Sequence, residues 1–97
     1  MSKPAYLVVD AKSSAPERMG EYRRLAQIAV EKFGGRYLVR GGAGEVFEGD
    51  WRPERLVVVE FPGMAAAKSF YASPEYVAAR QARAGISAFD MLLVEGY

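Results

Sequence analysis

Three charged residues stand where apolar strands would exclude them. Asp10 closes the run YLVVD, Glu60 interrupts LVVVEF between Val59 and Phe61, and Arg40 ends YLVR. A charge on a buried strand face is costly unless it is paired. A carboxylate whose pKa is raised by such burial is a stronger base, which suits proton abstraction with Asp10 or Glu60 as general base. Arg40 and Arg55 carry donors that would orient a carboxylate or an enolate oxygen. Tyr71 or Tyr76 would add a hydrogen bond, and Phe70 and Trp51 apolar walls. The set describes a pocket for a small organic molecule, anionic or aromatic. Its reaction class would be isomerisation by proton transfer, or oxygenation in which a substrate carbanion meets O₂. A second reading fits the same residues: Arg40 and Glu60 as a structural ion pair in a non-catalytic binder or stress-related dimer. Strand parity puts Asp10 with Val8 and Tyr6, and Glu60 with Val58 and Leu56. On this basis Arg40 and Glu60 are expected to face each other on the helix-covered side of a sheet, with Asp10 and Tyr71 nearby.

What the chain lacks narrows the chemistry. Its 97 residues contain no cysteine and no histidine. Disulfides, thiolate or imidazole metal sites and Ser-His-Asp or Cys-His mechanisms are therefore excluded within it. Asp10, Glu48, Glu60 and Asp90 lack the spacing of a hard-cation loop, so neither a metal nor any other cofactor is expected. The formal net charge is +1, with 13 basic and 12 acidic residues interspersed. That balance offers no broad pull toward nucleic acid or an anionic membrane. The first apolar run is too short for a signal segment or a span, and a cytoplasmic location is expected.

The glycine-rich stretch RGGAGEVFEGDWRPER, residues 40–55, is not a phosphate loop. Asp50 follows Gly49 where a P-loop needs lysine, and a strand rather than a helix comes next. Phe47 occupies the third glycine position of a dinucleotide loop. The glycines are instead expected to supply positive φ or a bulge in a connection between strands, with EVFEG as a short continuation of the hairpin.

Around these residues the pattern predicts one domain over residues 1–97. Residues 5–11, 36–42, 54–61 and 87–97 are rich in β-branched and aromatic side chains and read as strands. Tyr22, Ala26, Ala29 and Phe33 recur at helical spacing, with Ser14 and Glu17 as a capping box before them and Gly34 as the stop. MAAAKSFYA is a short helix. Ser73-Pro74-Glu75 then starts another that runs to Gly85, with Ser73 as N-cap. The order β-α-β-β-α-β is that of an α+β ferredoxin-like fold, a four-stranded antiparallel sheet with its helices on one face. The strands are nevertheless apolar on both faces. A homodimer packed sheet against sheet is the economical cover.

The segments YLVVDA, GGRYLVRGG, EVFEGDWRPERLVVVEFP and FYASPEY together resemble domain-of-unknown-function family 1330, small dimeric α/β-barrel proteins. The most specific part runs from Gly35 to Pro62. The resemblance implies a ferredoxin-like fold and a dimer through the sheets. It carries motif positions onto Asp10, Arg40, Gly41, Glu48, Trp51, Pro53, Arg55, Glu60, Tyr71, Ser73 and Tyr76. Among these, Glu48, Trp51, Arg55, Tyr71, Ser73 and Tyr76 are the expected substrate-binding positions. Similar scaffolds serve cofactor-independent oxygenases, muconolactone-isomerase-like enzymes and haem-degrading oxygenases. The haem branch uses a histidine ligand, which this chain lacks.

Overall fold

A computed structural model describes residues 3–97. Strand β1 (Ala5–Ser13) leads through a 3₁₀ turn (Pro16–Arg18) to helix α1 (Gly20–Lys32) and edge strand β2 (Arg36–Arg40). Strand β3 (Leu56–Phe61) is followed by α2 (Met64–Ala72), α3 (Pro74–Ala82) and β4 (Ser87–Glu95). The sheet order is β2-β3-β1-β4, and every neighbouring pair is antiparallel. This is the ferredoxin-like arrangement, with β1 and β3 central. Among the described residues no helix is long and apolar enough to cross a membrane.

Alternation along the strands divides the sheet. Leu7, Val9, Val59 and Phe61 are buried under the helices together with Ala26, Ala29 and Val30 of α1. Rings connect the layers: Phe61 on β3 lies 4.9 Å from Phe70 on α2, which lies 4.4 Å from Tyr76 on α3, centroid to centroid. Burying such aromatics supplies much of the core of a small domain. The opposite face keeps Val8 and Val58 half-buried and Leu92 63% exposed within this chain.

Ser73 ends α2 and begins α3. Its Oγ accepts from the Tyr76 amide at 3.1 Å and donates to the Phe70 carbonyl at 2.7 Å. One buried hydroxyl thus caps α3 and joins the Ser73 amide on the Phe70 carbonyl at the end of α2. The expected Ser14–Glu17 capping box does not form. Strand β1 pairs as far as Ser13 with Ser87, and the Ser14 amide bonds the Ile86 carbonyl, which ties Ser14 to the start of β4 rather than to a helix. Helix α1 starts later, behind Met19, with no side-chain cap.

Residues 41–55 contain no strand, so the expected continuation of the hairpin over EVFEG is absent. Gly41 opens this segment at φ 75°. A Cβ there would stand 2.2 Å from the Arg55 guanidinium, which packs against the bare backbone.

Candidate functional site

Between the helix side of the sheet and helices α1 and α3 lies a cavity of about 300 Å³. Val9, Val57 and Met91 line it from the strands, Tyr22 and Ala26 from α1, and Met19 from the position just before α1. Buried Phe70 and Tyr76 line its interior. At the more exposed rim are Arg23, Arg40, Arg55 and Glu54. An apolar body with a few convergent polar groups is the ordinary form of a small-molecule site.

Arg40 reaches this cavity through an irregularity in β2. Arg36 pairs with Glu60 and Tyr37 with Val59, but the register slips around Leu38, and Val39 pairs with Val58. Arg40 therefore pairs with Val57, on the helix side. Strict alternation would have put it with Arg36 on the opposite face. Its guanidinium stacks 4.2 Å from the centroid of the Tyr37 ring, and Nη1 donates to Gln27 Oε1 at 2.9 Å. Burial raises the Tyr37 hydroxyl above its ordinary pKa, so it stays protonated as the ring supports the cation. Among the described residues, Arg23, Arg40 and Arg55 make no ion pair.

The expected Arg40–Glu60 pair does not form. Glu60 pairs in register with Tyr6 and Arg36, on the face away from the helices, and accepts from Arg36 Nε at 2.8 Å. The sequence parity was correct in grouping Glu60 with Val58 and Leu56; that group lies on the other side of the sheet. Asp10 is also on that side and does not line the main cavity. Buried to 5% exposure, it accepts through Oδ1 from the Glu54 amide at 3.0 Å and, more weakly, the Arg55 amide at 3.4 Å. It holds the segment that carries Arg55.

The other expected positions are scattered. Trp51, 59% exposed, borders a shallow depression on the open sheet face with Asp10, Asp90 and Leu92. Glu48 lies exposed in the 41–55 connection. Tyr71 is outside the cavity, stacked under Arg80 with 4.4 Å from Cζ to the ring centroid. Ser73 is the helix cap described above. Of the nine expected catalytic or binding positions, Arg40, Arg55 and Tyr76 line one cavity.

Tyr22 was missed as a functional residue. Its helical spacing read simply as core, yet its hydroxyl and that of Tyr76 are hydrogen-bonded at 2.7 Å inside the cavity. A tyrosine in place of leucine on a buried stripe carries a group that must find a partner, and that was the available signal. Burial pushes the Tyr22 hydroxyl far above its ordinary pKa, with its neighbour Tyr76 adding to the effect. Arg83 stacks on Phe89 at 4.0 Å and reaches the Tyr22 ring at 5.4 Å.

Sheet order and single-sided helices define a ferredoxin-like α+β protein, with a partly open cavity beneath the helices. The model of the family described as "Domain of unknown function (DUF1330)" matches residues 4–97, and the chain belongs to that family. No curated protein matches it. Among solved structures, a protein of unknown function from Rhodopseudomonas palustris is similar with a TM-score of 0.80 at 16% identity, covering 100% of this chain and 85% of that one. A dimeric ferredoxin-like protein of unknown function from Bacteroides fragilis gives 0.64 at 15% identity, covering 99% and 98%. SnoaB, a cofactor-independent oxygenase from Streptomyces nogalater, gives 0.59 at 11% identity, covering 100% and 95%. At these identities the likeness is one of fold.

Proposed function

We propose that the protein binds a small, largely apolar organic anion in the cavity beneath α1 and α3, as a homodimer joined through its open sheet face. The observation that carries this reading is the rim. Three arginines, Arg23, Arg40 and Arg55, line one cavity without an ion-pair partner among the described residues, and Glu54 is the one carboxylate beside them. Cations at the edge of an apolar, low-dielectric space favour an anion whose body is apolar. The dimer reading is supported by the exposed Leu92 and Val94 and by the dimeric Bacteroides fragilis neighbour.

Proton-transfer or oxygenation chemistry, if the site performs it, requires no base from the open sheet face. Asp10 and Glu60 are occupied there with the Glu54 and Arg55 amides and with Arg36. Glu54 lines the cavity and is the residue to which the role of base passes. The fold shared with SnoaB is compatible with such chemistry and does not assign it.

The test is calorimetric titration with benzoate and its neutral isostere benzamide. Benzoate is expected to bind more tightly. Arg40→Met should weaken benzoate by roughly 10-fold or more, the scale of a hydrogen bond to a charged group, and leave benzamide little changed. Equal binding of acid and amide, or indifference to Arg40, would refute the anion site.

A further inference from the structure

The Tyr22–Tyr76 pair constrains the other end of the ligand. Two hydroxyls carry two protons, and the 2.7 Å bond between them uses one. Among the described residues no other group accepts from either hydroxyl. One O–H donor is therefore left over inside a mainly apolar cavity. An unused donor in such a place is costly, and a group that accepts from it gains the difference.

The donor is durable and held in place. Tyr76 is 1% exposed and packs against Phe70, and Tyr22 meets Phe89 edge-on at 5.3 Å between centroids. With its ionisation opposed by burial, the Tyr22 hydroxyl stays protonated throughout the physiological range. Arg83 over the Tyr22 ring further disposes the hydroxyls toward donation. Arg40 is exposed while Tyr76 is 1% exposed, so the cavity carries an anion contact near solvent and a neutral donor deeper in.

We propose that the ligand is a ring-bearing carboxylic acid with a second oxygen acceptor, a ketone, aldehyde or phenol oxygen, which receives the free proton of the Tyr22–Tyr76 pair. The proposal rests on the anion-binding reading above and adds a second contact point. It makes the protein selective for oxo- and hydroxy-acids over plain aromatic or alicyclic acids. The same donor would stabilise an enolate or phenolate oxygen if charge developed there.

The probes are 3- and 4-acetylbenzoate, set against 3- and 4-isopropenylbenzoate. Within each pair the shape is kept and the acceptor oxygen is replaced by carbon. In the wild-type protein at least one acetyl acid is expected to bind about 3- to 10-fold more tightly than its isopropenyl counterpart, the range of one hydrogen bond. The double variant Tyr22→Phe/Tyr76→Phe should lose that preference and keep its affinity for the isopropenyl acids. A single Tyr22→Phe leaves Tyr76 able to donate, so it should retain part of the preference. This single variant serves if the double variant does not fold. Binding of all four acids with no acetyl preference would overturn the two-point proposal and leave the anion site standing. Failure of every acid to bind would overturn both.

Discussion

Asp10 shows how a residue with catalytic credentials can serve the site indirectly. Its carboxylate is buried, but it faces away from the cavity and collects the Glu54 and Arg55 amides. Asp10→Ala should destabilise the protein by roughly 1–3 kcal/mol, the cost of leaving buried backbone donors unpaired. It should also weaken benzoate, because Arg55 loses its anchor. Urea unfolding and titration of one sample read both effects, and an unchanged affinity would show that Arg55 is placed by other means. Tyr22 makes a prediction about pH. Its folded-state pKa lies above the ordinary value of 10.0. Between that value and the higher folded one, the unfolded chain releases a proton that the folded protein keeps. The Tyr22 contribution is thus full below pH 10 and lost progressively above it. In alkaline unfolding series, Tyr22→Phe should reduce the downward slope by about 1.4 kcal/mol per pH unit. Equal slopes would mean that the tyrosine ionises freely in the folded state.

At the level of elements, two local features assemble the cavity. One is the junction at Ser73, where α3 begins and Tyr76 is directed under the helices. Ser73→Ala should cost about 1 kcal/mol as the Tyr76 amide loses its cap. The check is the denaturant midpoint at unchanged slope. The Phe70 carbonyl at the end of α2 keeps the residue-73 amide at 3.2 Å and so adds no large penalty. The other feature is the slip around Leu38, which turns Arg40 from the open face to the helix side. The strand was legible in RYLVR because β-branched and aromatic residues announce it. The slip was not, since nothing in five residues says which one the partner strand will skip. The Arg40–Glu60 pairing failed on that point and on the choice of buried face.

For the whole molecule the open sheet face is decisive. Leu92 at 63% and Val94 at 44% exposed flank Val8 and Val58 on a surface the chain itself does not cover. If a second copy covers it, as proposed, light scattering at low micromolar concentration should give twice the chain mass. An obligate interface of that type buries more than roughly 2,000 Å² in total. Leu92→Lys would place a charge in it and should release monomers. A wild-type monomer under those conditions would remove the dimer from the proposal. Because the cavity lies on the other side of the sheet, monomers should still bind benzoate, so assembly and binding can be measured separately.

The sequence by itself determined the element order, the ferredoxin-like topology, the Ser73 cap and the family. These follow from local propensity, from hydrophobic period and from a motif over residues 35–62, all of which are short-range properties of the chain. It also supplied the right parity groups along β1 and β3. Which face each group occupies was decided only when the helices packed, because alternation distinguishes two faces without saying which is covered. The meeting of Arg23, Arg40 and Arg55 at one rim, and of Tyr22 with Tyr76 across 54 positions of chain, was likewise a tertiary outcome. Such contacts depend on strand register and helix placement, and a one-residue slip at Leu38 was enough to exchange one partner set for another.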